Sequence, residues 1–302
     1  MKYPLKLHHE VSSALKSNDP VVVLESTIIA HGMPYPENLH FAHKAENIVR
    51  KGGAIPATIA LISGEVWVGL NDSQLEYITN KNNTIDKIAT RDIGYAVANK
   101  LSGATTVSAT MHVANLAGIK VFATGGIGGV HRNAENTFDI SQDLIELSRT
   151  PVIVVSAGVK AILDIPKTLE QLETLAVPVV GYKTNEFPAF YSRRSGCRLS
   201  YRCDSAAEIA EIFNSQLGSG INSALLVANP VPEDVEIPKN EIDIYISKAL
   251  EECSKSKISG KAITPFLLQK IVELTGNKSL VTNIALALNN VNLATKIAAT
   301  FK

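Results

Sequence analysis

The chain has 302 residues, 45% hydrophobic and 19% charged, a composition that supports a sizeable core and excludes disorder. Lys and Arg total 29 and so do Asp and Glu, so no global field draws it to nucleic acid or to an anionic membrane. A local basic pocket, enough for one small phosphorylated ligand, stays open.

In chain order, the first strand is VVVL at 21–24. A helix is predicted over 37–51, after Pro34 and Pro36 and ending at Gly52-Gly53, with Leu39, Ala42, Ala45 and Ile48 on one face. Strands at 57–62 and 66–70 follow, then a short helix over 74–79 that Asp72 would cap. Next come a strand at 120–124, a helix over 143–148 capped by Ser141, and strands at 151–157 and 177–182. Ser205 would cap a helix over 206–216, and the last strand is 224–229. NPVPEDVEIPKN, 229–240, is the best loop, and residues 240–301 read mostly as helices, broken near Ile263-Thr264-Pro265 and Gly276-Asn277.

Several strands are apolar throughout, as strands covered on both faces are. Strands alternating with helices argue an α/β/α sandwich with a mostly parallel central sheet and a helical C-terminal portion. There are no repeats and no Gly/Ser-rich linker, so 1–302 is expected to be a single domain. Three cysteines are too few for a disulfide framework, and Cys197 and Cys203 lack zinc-site spacing, so reduced thiols are expected. The start, MKYPLKLHHEV, has no apolar signal core, and polar residues interrupt the uncharged stretch 101–119. The expected compartment is the cytoplasm, with no membrane partner.

Four clusters could carry chemistry. Glu25 directly follows the first strand, where doubly wound sheets bind ligands, and a carboxylate desolvated there can act as a general acid. A structural carboxylate is the plainer alternative. TGGIGGVHR, 124–132, could offer backbone amides to a phosphate, with His131 and Arg132 closing the loop; a tight turn explains the glycines equally well. ENTFDISQD, 135–143, offers oxygen ligands suited to Mg2+ or Mn2+, though Ser141 could simply cap a helix. VVSAGVKAILD places Lys160 just past an apolar strand, where a poorly solvated amine can attack a carbonyl-like carbon; a surface lysine is the common alternative. Lys87 is a second candidate cation. The histidines form no metal set.

Together ESTIIAHGMPYPEN, ATIALISGEVWVGL, TVSATMHVANLAGIKVFATGGIGGVHR, TFDIS and VVSAGVKAILD resemble the pseudouridine-5'-phosphate glycosidase family, and the resemblance continues through GYKTNEFPAFYSRRSG, YRCDS, LLVANPVPE, TPFLL and ELTGN. It implies an α/β/α fold, a homotrimer, one Mn2+ per subunit, and reversible cleavage of pseudouridine 5'-phosphate to uracil and ribose 5-phosphate. By motif it implies Glu25 as proton donor, Lys160 as nucleophile and Asp139 as metal ligand. Lys87, Val107, Ser141, Gln142 and Asp143 match substrate-contact positions, and His131 joins them from its place in the glycine loop. Asn133 and Ala104 stand where the family often has glycine.

The bond to be cut is carbon–carbon, so protonating a glycosidic oxygen or nitrogen cannot make a leaving group, and the two-carboxylate scheme does not suffice. A lysine that forms a Schiff base with ring-opened ribose offers another route. Rival readings are a Schiff-base lyase or aldolase on another sugar phosphate, an inert sugar-phosphate sensor, and a nucleic-acid-binding module. Neutral charge and the lack of a basic aromatic stripe disfavour the last.

Overall fold

The β-branched runs pair side by side into a twisted wall on which the helices pack. In the computed structural model, residues 5–256, 258 and 263–301 are described. The strands are β1 (Lys6–Leu7), β2 (Val21–Leu24), β3 (Ile55–Ile62), β4 (Glu65–Val68), β5 (Asp86–Ile88), β6 (Gly103–Thr105), β7 (Val121–Ala123), β8 (Val130–His131), β9 (Ile153–Ser156), β10 (Leu163–Asp164), β11 (Val179–Tyr182), β12 (Tyr201–Cys203) and β13 (Leu225–Ala228).

The main sheet runs β1-β4-β3-β2-β7-β9-β13-β11-β12, with β6 also paired to β3 and β5 to β6. From β3 to β12 every neighbour is parallel; β4 and β6 run antiparallel to β3. β2, β7, β9 and β13 are buried along their whole length, because helices cover both faces and leave no polar side to alternate with. The long helix Lys278–Ala298 packs along β2, β7 and β9 and on the helix Glu37–Lys51; the helix Val107–Leu116 packs along β2, β3 and β6. The fold is the expected mostly parallel α/β/α sandwich with a helical C-terminal portion.

Local differences have local causes. The helix Asp72–Thr79 is capped by Asn71, not Asp72: Asn71 accepts from the Gln74 amide and Gln74 Oε1 accepts from the Asn71 amide, a reciprocal box that Asp72 cannot form. Ser141 and Ser205 cap as expected. Ile263-Thr264-Pro265 opens the helix Ile263–Leu274, where a first-turn proline is tolerated; residues 257 and 259–262 before it lie outside the described residues. The helix Glu37–Lys51 buries Phe41, Ala42, Ala45 and Val49, with Leu39 and Ile48 flanking that face. Strands of two or three residues, such as β5 and β6, are too short to leave a period in the sequence. Cys197, Cys203 and Cys253 are unpaired. Among the described residues no helix is long and apolar enough to cross a membrane.

Candidate active site

Glu25 leaves the carboxyl end of β2 and is 5% exposed. Its position is fixed by Ser26, whose hydroxyl donates to the Ile59 carbonyl at 2.6 Å and accepts from the Thr105 amide at 2.8 Å, locking the end of β2 to β3 and β6. Thr124, at the end of β7, donates its hydroxyl to Glu25 Oε1. Glu25 shares the lining of a small hollow with the apolar side chains of Ile28, Phe41, Ala287 and Val291. Burial therefore pushes its pKa up; the charges of Lys160 and Lys87 and the Thr124 hydrogen bond pull the other way, and Asp143 adds to the rise. A raised pKa is the direction a general acid needs.

Lys160 follows β9 after a turn at Gly158, which has φ +90° and whose missing Cβ would meet the Pro188 carbonyl at 2.4 Å, so only glycine fits. Lys160 Nζ donates to the Gly126 carbonyl at 2.7 Å, and its amide donates to the Ile127 carbonyl at 3.0 Å. The catalytic-looking lysine is thus tied to the glycine run by backbone and side chain alike.

The glycine run is partly closed by the protein itself. The segment 121–130 is buried. The amides of Ile127, Gly128 and Val130 donate to the Gly158 carbonyl, Asp143 Oδ2 and Thr168 Oγ1. A Cβ at Gly128 would fall 2.2 Å from Ser141 Oγ, so the glycine is there for close packing. Those three amides are spent within the protein, and the expectation that the run's backbone cradles phosphate does not hold for them.

Asp143 is buried and accepts from the Ser108 amide at 2.9 Å and the Gly128 amide at 2.8 Å, so it joins the helix Val107–Leu116 to the glycine run. Ser141 Oγ accepts from the Asp143 amide, and Gln142 Oε1 accepts from the Arg91 amide at 3.3 Å. Val107 opens the helix Val107–Leu116, so its amide, not its buried side chain, faces the helix start. Lys87 lies on β5 opposite Ala104 of β6, and its charge acts on Glu25, His31 and His131. Burial pushes the His131 imidazole down; Asp139 raises it, and Lys87 and Lys160 lower it further. These electrostatic links bring Glu25, Lys87, His131, Asp139, Asp143 and Lys160 into one neighbourhood. Ser141 and Gln142 border it through the helix start beneath Asp143.

Asp139 is half-exposed, with Oδ2 3.7 Å from His131 Nδ1. No group of three acidic, His or Cys residues that could hold a metal occurs among the described residues. A hard cation placed here would take one protein carboxylate, that of Asp139, and fill the rest of its shell with water. Asn133, where the family often has glycine, adopts φ 67°, a left-handed conformation that Asn tolerates.

Two polar side chains near the site leave no mark as motifs. Asn283, on the helix Lys278–Ala298, is 6% exposed and its Oδ1 has no partner among the described residues. A Cβ on Gly125 would come within 3.6 Å of that oxygen, which places it against the loop beside Thr124. His31 Nε2 is also buried without a partner, and burial followed by the Lys87 charge pushes that imidazole's pKa down. The available signal was a run of amides in an otherwise apolar helix, VTNIALALNN. Asn290 in the same run donates to the Thr124 carbonyl at 2.8 Å, and Asn229 donates to Asn290.

Fold and site together define an α/β enzyme built around a buried acid and a tethered lysine, and the chain's relatives say which. The family model "Indigoidine synthase A like protein" matches residues 10–300. A relative from Solibacter usitatus is 55% identical over 97% of this chain and 98% of its own length; one from Caldanaerobacter subterraneus subsp. tengcongensis is 52% identical over 97% and 95%. Both are named pseudouridine-5'-phosphate glycosidase. Among solved structures, an indigoidine synthase A-like protein from Thermotoga maritima is 39% identical with a TM-score of 0.90, covering 99% of this chain and 98% of that one. The prealnumycin C-glycosynthase AlnA, in complex with ribulose 5-phosphate, is 36% identical with a TM-score of 0.91, covering 100% and 98%. The chain belongs to the indigoidine synthase A-like family, and within it to the pseudouridine-5'-phosphate glycosidases, enzymes that act on carbon–carbon glycosidic bonds.

Proposed function

We propose that this enzyme cleaves pseudouridine 5'-phosphate with water, reversibly, to uracil and ribose 5-phosphate through a Schiff base on Lys160. The observation that carries the reading is the buried Glu25 at the end of β2, its pKa raised by burial and its charge coupled to that of Lys160.

Lys160 leaves the Gly126 carbonyl and attacks C1' while Glu25 protonates the ring oxygen, so the C1'–O bond breaks and the ribose opens. The proton that Nζ sheds after attack passes to uracil C5, and cleavage of the C1'–C5 bond then releases uracil and leaves a protonated imine between C1' and Nζ. Water adds to the imine and frees ribose 5-phosphate, restoring the amine. Lys87 and the start of the helix Val107–Leu116 are the groups for the phosphate, which orients C1' from a distance. Asn283 Oδ1, otherwise unpartnered, is the acceptor for a uracil N–H. Ser141, Gln142 and Asp143 act mainly by shaping the floor of the pocket, and His131 lines it.

Asp139 would hold one Mn2+ per subunit, which when bound supplies positive charge close to the phosphate. Assembly as a homotrimer belongs to the same reading: Phe138, beside Asp139, is 83% exposed, with Ile140 and Ile145 also open to solvent.

The test is incubation of the enzyme, Mn2+ and pseudouridine 5'-phosphate, with products separated by chromatography. Equal amounts of uracil and ribose 5-phosphate are expected. Absence of uracil, with cleavage of other sugar phosphates, would instead mark a Schiff-base lyase or aldolase.

A further inference from the structure

A hollow of about 610 Å³ opens over the edge of the sheet formed by β11 and β12, with Pro230 after β13 on its rim. Lys183, Arg193, Arg194, Arg198 and Arg202 line it, and Glu186 is the one carboxylate among the lining residues. Neither Glu25, Lys87, His131 nor Lys160 lines it. β11 is two places from β9 in the sheet, about 10 Å at ordinary strand spacing, so this is a different site on the same carboxyl side.

Five cations around one concave surface repel each other, and the fold neutralises them only in part. Arg202 pairs with Asp204 at 2.8 Å, Arg193 Nη1 donates to the Val231 carbonyl at 2.7 Å, and Lys183 lies over the Tyr182 ring. Glu186 Oε2 is engaged by the Gly196 amide at 3.1 Å. Arg194 and Arg198 are exposed and have no ion pair among the described residues. Guanidinium forks left in this state match phosphate oxygens, to which they can donate two at a time. Among the described residues no aromatic ring lines the hollow, so none of them would stack a base there.

We propose that this basic hollow is a second anion site, separate from the Glu25–Lys160 pocket, that binds a small, multiply charged phosphorylated molecule through Arg194, Arg198 and their neighbours. Its size is that of a small-molecule pocket. The test rests on the proposed function in using ribose 5-phosphate to fill the active site and uracil release to read it; the affinity of the double variant for pyrophosphate does not.

The experiment is equilibrium dialysis of labelled pyrophosphate against the intact enzyme, with ionic strength held constant. One set of samples is saturated with ribose 5-phosphate to fill the active site. The expected result is about one equivalent of pyrophosphate bound per chain in the saturated enzyme. The double variant Arg194→Ser, Arg198→Ser should bind it about tenfold to hundredfold more weakly, with unchanged uracil release. Loss of all pyrophosphate binding on saturation, or wild-type affinity in the double variant, would overturn the second site.

Discussion

Lys160 Nζ donates to the carbonyl of Gly126, 34 residues earlier in the chain, at 2.7 Å. The contact is made possible by Gly158 and Gly126, which let two strand-end loops lie against each other; a Cβ on Gly126 would come 2.7 Å from the Phe190 ring. Holding the amine there keeps a flexible side chain in one place before substrate arrives. On the proposed mechanism the same contact must break for Lys160 to attack, so the amine would be parked there until substrate arrives.

Glu25→Gln should leave substrate affinity nearly unchanged and lower kcat by roughly 10²–10⁴, since the amide cannot give up and regain a proton. Because burial raises the Glu25 pKa, the folded form holds its proton more firmly than the unfolded chain. The native state is thus destabilised as pH rises through that raised value, and activity needing the acid form falls over the same range. The variant should melt no lower than wild type above neutral pH. Steady-state kinetics and thermal melts across pH check both halves, and an unchanged kcat would remove Glu25 from the chemistry.

Asn283→Ala should raise the uracil KM in the synthetic direction by about tenfold, the scale of one lost hydrogen bond in a dry site. The KM for ribose 5-phosphate should move little. Equal effects on both substrates would mean that Asn283 supports the loop and does not read the base.

Acid stability should depend on Glu146. Burial pushes its carboxyl up, but hydrogen bonds from His112, Thr150, Arg149 and Thr90 outweigh that and hold it at about 2, against 4.5 for an ordinary glutamate. The unfolded chain then binds the extra proton, so the stabilisation is complete above about pH 4.5 and is lost as pH falls toward about 2. Its size is of order 3 kcal/mol. Glu146→Gln should lower stability at neutral pH and flatten the acid limb of a urea-unfolding series; an unaltered pH slope would show that this cluster does not control acid unfolding.

Asp139→Ala should weaken Mn2+ binding at least about tenfold, since even an outer-shell partner of a metal is worth roughly that much. The signal of free Mn2+ in an electron paramagnetic resonance titration reads this without reference to turnover. Wild-type affinity in the variant would place the cation on other groups.

The strands β2, β7, β9 and β13 were legible because burial on both faces leaves uninterrupted apolar runs, and the residues after them, Glu25, Thr124 and Lys160, inherit their place from topology. The motifs also located Asp139 and Asp143. What stayed hidden depends on contacts between distant segments. The glycine run looked like a phosphate nest because sequence cannot show that Asp143 and Thr168 accept from its amides. Asn71 won the cap from Asp72 through a reciprocal bond with Gln74. Asn283 escaped notice because its helix sits about 120 residues beyond Lys160 and reads as packing alone.

The proposed mechanism turns on a covalent bond between Lys160 and the sugar, which borohydride trapping can capture. Enzyme turning over pseudouridine 5'-phosphate is quenched with borohydride, digested and analysed by mass spectrometry. A reduced ribose 5-phosphate adduct is expected on the peptide carrying Lys160, absent in Lys160→Arg, which keeps the positive charge but forms no imine and should release no uracil. Steady uracil release with Lys160 unmodified, or turnover retained in Lys160→Arg, would contradict it.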